Sequence, residues 1–426
     1  MSTLSKRQVW STVIAVSLGW LFSAVDIILL ILFQEEIATD LNLELQAVRI
    51  AIGVGLLGSA LGGLFFSQLG DRWGRVKALA LSIILYSLAT GLMAFAQSKT
   101  QLYGLRLVAG IGTGAEWSIG FALLSEVWSR KSRGRIGGLV ASMFNIGTFL
   151  AIAFFQSPLG WRYSFGIMVF PALFAIFLRR FIPESQVWLR FQEAKQKGIL
   201  NSELQQEASR TPIHAAFMGQ NRWLTIRLIL LFTLMNLGFY SFSTVFINFL
   251  KASHDQGGLA LDKAGQLPFQ LLLNVASLLS VILAGTLSDF LGRKKASFAF
   301  CCVGFVGFLL LYTQLDVSNL QQAKVTSSLM LPFTLCCIGF GLNGVMGIYA
   351  PELFATHLRS TGPGLSQNLG KGIGGMMGPP LAGALVVSQG YPFVLSLPAW
   401  LFLLIAMLLF TLPEVGGKDL NDDPLS

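Results

Sequence analysis

Twelve apolar runs, each about the length of one membrane crossing, constrain this chain more than any other feature. They lie near Ser11–Phe33, Ala47–Leu69, Lys77–Ala96, Gln101–Ser125, Ile136–Gln156 and Tyr163–Phe181, then Trp223–Phe249, Gly265–Ser288, Ala296–Gln314, Ser327–Ala350, Gly362–Ser388 and Pro392–Leu412. A helix of ~20 residues crosses a hydrocarbon core of about 30 Å. No water reaches that core, so peptide groups must be satisfied within the segment, and runs of this length do so as helices. The composition agrees, with 54% hydrophobic and only 12% charged residues, against roughly 25% charged in a soluble domain. The chain therefore reads as an all-α integral membrane protein with 12 transmembrane helices.

The runs fall into two sets of six. Residues 1–182 form an N-terminal six-helix bundle, and 223–413 a C-terminal one. Between them, 183–222 is polar and reads as a partly helical cytoplasmic linker along the membrane surface. Residues 414–426 read as a short, acidic, disordered cytoplasmic tail. Lys6 and Arg7 precede the first run and no small-residue cleavage site follows it, so it is expected to be a retained helix.

A net charge of +9 would suggest nucleic acid in a soluble protein. Here the bases follow the membrane. With the N-terminus inside, the inner segments hold 22 of the 30 lysines and arginines, the outer loops six, and predicted helices the other two, Arg106 and Lys371. This bias places both termini in the cytoplasm and the protein, multi-pass, in a cell inner (cytoplasmic) membrane. The lipid bilayer is the expected partner, with no nucleic acid, and the chain is expected to be monomeric.

Short motifs repeat. Asp71, Gly74 and Arg75 recur as Asp289, Gly292 and Arg293, an offset of 218 residues. Glu126 and Arg133 recur as Glu352 and Arg359, an offset of 226. Matched motifs in matched loops indicate two six-helix pseudo-repeats, parallel and related by an axis along the membrane normal. A substrate site would then lie between them near mid-bilayer.

These motifs resemble the major facilitator superfamily over nearly the whole chain. Gly285 to Lys295, GTLSDFLGRKK, keeps the family loop pattern, while the first copy has Ser67 where the family has Gly. Ile182-Pro183-Glu184-Ser185 with Trp188-Leu189 resembles the segment after helix six of sugar porters and metabolite:proton symporters. Pro351-Glu352-Leu353-Phe354 with Arg359 to Gly362 resembles the segment after their helix ten. Gly110 to Trp117, GIGTGAEW, looks like the G-x-G-x-G-G-E-W of carboxylate and sialate symporters. Ser23 to Asp26 matches the D-G-x-D of aromatic-acid symporters only at its second Asp. The resemblance implies secondary active transport by alternating access.

Charge inside the runs marks the candidate chemistry, because an ionised side chain at bilayer depth costs about 2.5–3.5 kcal/mol on insertion scales. Asp26 lies seven residues from the outer end of its run, roughly 10 Å deep. Unpaired, it can carry a proton; the alternative is permanent neutralisation by a partner. Arg106 has similar depth on the fourth run and is the expected partner. A proton on Asp26, or an anion on Arg106, would break such a pair, which is a physical basis for symport. Glu116 completes the proton-coupling candidates, facing either the cavity or a neighbouring helix. Lys371 would bind a substrate carboxylate at mid-depth, or snorkel if nearer the inner end. It corresponds to Asn145 on the 226 offset. With Arg106, Trp117, Asn236, Tyr240, Gln270, Asn274 and Asn343, these form the substrate-binding candidates, against a background in which polar helix contacts and packing explain several of them equally. Asp71, Arg75, Glu126, Arg133, Asp289, Arg293, Glu352 and Arg359 are the candidates for a conformational lock on the inner face.

Other classes lack their residues. The four cysteines are adjacent pairs in apolar runs, Cys301–Cys302 and Cys336–Cys337, with no metal spacing. No Walker loop is present, so a proton gradient rather than a cofactor is the expected energy source. No enzyme constellation is evident. The preferred expectation is proton-coupled symport of a small organic solute, a carboxylate. A sugar or neutral-metabolite porter, a proton-driven exporter and a non-transporting membrane sensor are the alternatives.

Overall fold

The computed structural model describes residues 5–171, 173, 182–199, 211–315 and 322–416. Its first helices are α1 (Lys6–Leu32), α2 (Gln34–Asp40), α3 (Leu45–Trp73), α4 (Arg75–Leu92), α5 (Lys99–Val127), α6 (Arg133–Gln156) and α7 (Gly160–Ile167). In the connecting segment stand α8 (Gln186–Gln196) and α9 (Pro212–Ala216). Then come α10 (Gly219–Lys251), α11 (Lys263–Leu291), α12 (Arg293–Leu315), α13 (Gln322–Gly339), α14 (Leu342–Glu352), α15 (Thr361–Gly370) and α16 (Met376–Phe410).

Local chemistry starts several of these where the chain turns polar. Ser5 and Gln8 form a reciprocal capping box at α1, Ser98 caps α5, and Asp262 accepts from Gly265 N–H at α11. Ten helical segments among the described residues are long and apolar enough to cross a membrane. The last, Thr356–Phe410, has 55 residues, about 80 Å of helix at 1.5 Å each. It cannot make a single pass. Gly390, with φ 79° and ψ 169°, breaks it between the two runs expected there. The second part of the sixth expected run (172 and 174–181), the linker residues 200–210 and the tail residues 417–426 lie outside the described residues. The tenth run is interrupted at Phe340–Gly341, between α13 and α14.

The helices approach closely because their contacts are glycine-rich. In the first half of the chain α3 and α4 pack on α5, and α1 packs on α6. A Cβ at Gly62 would overlap the Ile111 peptide, and one at Gly114 the Ser59 carbonyl. In the second half α10 packs on α16, and α12 on α13 and α16. The halves meet along α3–α15 and α6–α11. Gly134 and Gly138 there face Gly285 backbone to backbone. Phe65, Leu283, Phe290 and Met407 are exposed on the outside, as an apolar solvent requires.

Candidate functional site

Asp26 of α1 and Arg106 of α5 meet inside the first half. Arg106 Nη1 donates to Asp26 Oδ1 at 2.9 Å and Nη2 to Oδ2 at 2.8 Å. Thr90 of α4 donates to the same Oδ1 at 2.6 Å. Asp26 is 0% and Arg106 3% exposed. A two-point guanidinium–carboxylate pair is a strong one. Its burial makes it consequential, because breaking a buried pair leaves a bare charge.

Glu116, ten residues along α5, does not join this pair. Its carboxylate presses on Gly19 of α1, where a Cβ would overlap it. It faces a neighbouring helix. Trp117 is packed between Phe121, at 5.5 Å between ring centroids, and Phe232 of α10, at 5.3 Å. It bridges the two halves of the chain.

Lys371 opens a π turn, Lys371–Gly375, between α15 and α16. Single π turns often mark functional sites. The amine makes no hydrogen bond or ion pair among the described residues, yet lies within electrostatic reach of Asp26 across the interface. The turn rests on α10. Gly374 meets Thr233 and Asn236, and Gly375 meets the Tyr240 ring. Asn236 and Tyr240 thus pack against the far end of the π turn that Lys371 opens, and Asn236 donates to Phe232 O of its own helix. Asn145 is half-buried on α6. Gln270 is exposed, and its carbonyl accepts from Asn274. Asn343, exposed at the helix break, donates to Phe340 O and lines a small apolar recess with Met235 and Phe402.

The charged motifs converge at the end of the bundle that holds the basic loops. Asp71 pairs with Arg75 at 3.1 Å and Asp289 with Arg293 at 2.8 Å. Each aspartate also caps a helix of the opposite half. Asp71 accepts from the N–H groups of Ser360 and Thr361 at the start of α15. Asp289 accepts from Gly134 and Arg135 at the start of α6, both at 2.7 Å. A carboxylate at a helix N-terminus is favourable by roughly 0.3–1 kcal/mol, more when partly buried.

The glutamates do not pair with the arginine seven residues along their own motif. Glu126 does not pair with Arg133, nor Glu352 with Arg359. They exchange partners across the interface. Glu126 holds Arg359 at 3.0 Å and Arg75 at 3.2 Å. Glu352 holds Arg133 at 3.0 Å and Arg293 at 2.9 Å. The reason is geometric: Arg133 opens α6 and Arg359 lies just before α15, the two helices that pack against the opposite half, and all six side chains are buried.

Two further carboxylates belong here. Glu184 accepts from the N–H groups of Arg75 and Val76, and Glu414 from those of Arg293 and Lys294. Glu414 is therefore a structural cap and not part of a loose tail. Burial raises the Glu184 carboxyl above its ordinary range, with the N–H bonds and Arg75 pulling the other way. At Glu414 burial pulls up too, but the N–H bonds of Gly416, Lys294 and Arg293 hold it below that range. A sequence signal existed. Ile182-Pro183-Glu184 and Leu412-Pro413-Glu414 repeat at the ends of the two halves. Thr90 gave no such signal, being one hydroxyl among many in apolar runs.

Both caps need glycine beside them. Gly74 has φ 112° and Gly292 φ 89°, and a Cβ at either would strike the capping glutamate. Their ψ values of 147° and 161° put both in an extended, positive-φ region that is essentially glycine-only and costs other residues about 1–3 kcal/mol. Gly74→Ala and Gly292→Ala are each expected to lower the thermal unfolding temperature in detergent. An unchanged Tm would remove the caps from the stability account.

The assembly can now be set beside known proteins. The Major Facilitator Superfamily model matches residues 15–366. A Haemophilus influenzae protein named for metabolite transport is 28% identical over 428 residues, covering 97% of this chain and 98% of that one. The niacin transporter NiaP of Acinetobacter baylyi is 27% identical, covering 95% and 94%. Among solved structures, the proton:xylose symporter XylE bound to 6-bromo-6-deoxy-D-glucose matches with TM-score 0.76 at 19% identity, covering 97% of this chain and 98% of that one. The structural match is one of fold. With a family model spanning most of the sequence, a fold of membrane-length helices and relatives matched end to end, the chain belongs to the Major Facilitator Superfamily of multi-pass membrane transporters.

Proposed function

We propose that the protein is a proton-coupled symporter of a small organic carboxylate, working by alternating access. The buried Asp26–Arg106 fork carries this reading. A proton arriving on Asp26 cancels the charge that holds Arg106, and the freed guanidinium becomes a binding group for an anion. Lys371 supplies a second cation on the other side of the interface, on the π turn that packs against Asn236 and Tyr240. A niacin transporter among the relatives is in keeping with a small carboxylate.

In this reading the chain makes twelve crossings as two six-helix halves, monomeric, with both termini on the cytoplasmic side of a cytoplasmic-type membrane. Exchanged ion pairs and reciprocal helix caps at the basic end support such a repeat. They would form the inner lock and hold that end shut, so that solute enters from the other side.

Uptake into proteoliposomes tests the proposal. Labelled nicotinate, benzoate, N-acetylneuraminate and xylose are offered with and without an external acid pulse. Accumulation of one acid, only under the pulse, is expected. Accumulation of xylose alone would move the reading to a neutral-solute porter, and no proton-driven flux of any probe would favour a sensor. Lys371→Gln is expected to raise KM for the transported acid. A charged hydrogen bond worth about 1.5–3 kcal/mol corresponds to roughly a 10- to 150-fold change. An unchanged KM would take Lys371 out of the substrate site.

A further inference from the structure

Asp26 stands at one end of a buried polar row. Gly19, Ser23 and Asp26 are four and three residues apart, so they share one face of α1. Tyr86 and Thr90, four apart, share a face of α4. All five are buried. Thr90 closes the upper end on Asp26. The Tyr86 phenol lies one turn below Thr90, within electrostatic reach of both Asp26 and Glu116. At the lower end the Glu116 carboxylate fills the space that Gly19 leaves open. Gly19 and Asp26 are two turns apart, about 10 Å. Beyond Glu116 the row stops, because Val16 packs directly on Gly120.

Glu116 is 2% exposed, and neither of its oxygens has a hydrogen-bond partner among the described residues. The charged and titratable groups nearby are committed elsewhere. Arg106 gives both terminal nitrogens to Asp26. Lys371 lies within electrostatic reach of Asp26 and makes no ion pair with Glu116. Tyr86 is neutral. A bare carboxylate at this depth costs several kcal/mol with nothing to offset it. The same group as a neutral acid does not.

We propose that Glu116 is a second proton-binding site in series with Asp26, and that the hydroxyls of Ser23 and Tyr86 carry the proton between them. This rests on the proton-coupled reading above. In the transfer the O–H bond of protonated Asp26 breaks and an O–H bond forms on Glu116. Each bridging hydroxyl accepts one proton and releases one, and ends unchanged. Asp26 becomes a carboxylate and recovers Arg106. The arrangement in the structure is the one after transfer: the fork is closed and Glu116 stands unpaired. Val16 on Gly120 then seals the proton from the basic end while the lock is shut.

Infrared difference spectra of the full chain in lipid nanodiscs test the site without any solute. A protonated-acid carbonyl band is expected at neutral pH, shifting in deuterium oxide, lost in Glu116→Gln and kept in Asp26→Asn. A spectrum in which Glu116→Gln removes no such band overturns the proposal. The relay is tested with whichever acid the uptake panel identifies. The ratio of acid-driven accumulation to solute exchange is expected to fall at least tenfold in Glu116→Gln, and about tenfold in Tyr86→Phe, which keeps its ring but loses a proton-transfer group. Tyr86→Phe should also retain the Glu116 band, which reports an intact fold. A wild-type ratio in Glu116→Gln overturns the second site, and one in Tyr86→Phe overturns the bridge. A wild type that shows the band but no acid-driven uptake overturns the coupling itself and leaves Glu116 as a buried acid only.

Discussion

Asp26→Asn is expected to abolish acid-driven accumulation and leave solute merely equilibrating across the membrane. Three contacts explain the size of the effect. Arg106 reaches both carboxylate oxygens at 2.9 and 2.8 Å, and Thr90 donates to one of them. Asparagine keeps the shape and an acceptor for Thr90, but it neither binds a proton nor balances a guanidinium. Arg106 would then be a buried cation without a counterion. Removing one partner of a buried pair costs about 3–5 kcal/mol, so a lower unfolding temperature should accompany the loss. The freed Arg106 remains available to an anion, so equilibrium binding of the acid should survive or tighten. Uptake, thermal unfolding and binding measured on one preparation check this. Accumulation at the wild-type level in Asp26→Asn would sink the proton-coupling role.

The second large effect is expected at the basic end. Glu126→Gln removes the charge that holds both Arg75 and Arg359, one from each half of the chain. Loss of about 3–5 kcal/mol from the closed arrangement would shift its population by roughly two to three and a half powers of ten, at 1.4 kcal/mol per tenfold. Spin labels at the exposed Lys131 and Lys295 positions, one on each half, would report the opening as a longer distance. The related substitution Glu352→Gln removes the carboxylate shared by Arg133 and Arg293, although Asp289 still holds Arg293, and should act likewise. A charge swap, Glu126→Arg with Arg359→Glu, should restore only part of the closure, because Arg75 would then face a new arginine. Full restoration by the swap, or an unmoved label distance in Glu126→Gln, would show that these pairs do not hold the halves together.

Much of this molecule is legible one residue at a time. Apolar runs of membrane length dictate helices, because an unsatisfied peptide group cannot persist in hydrocarbon. The cost of burying charge singles out Asp26, Arg106, Glu116 and Lys371 without any coordinates. The Asp26–Arg106 pairing was also readable, since equal depth on two helices leaves few other partners. The repeated motifs marked the residues that gather at the basic end.

What the tertiary structure decided is who meets whom. Glu126 lies seven residues from Arg133 in sequence, and yet bonds Arg359, 233 residues away. Glu116 lies on the helix of Arg106 but is spent against Gly19 of another helix. Glu414, read as a tail, closes the start of α12. Helix formation and the cost of charge depend on neighbours along the chain, so a one-dimensional pattern records them. Partner choice depends on crossing angles and close glycine contacts between distant segments, and a buried charge takes whichever partner that packing brings within about 3 Å.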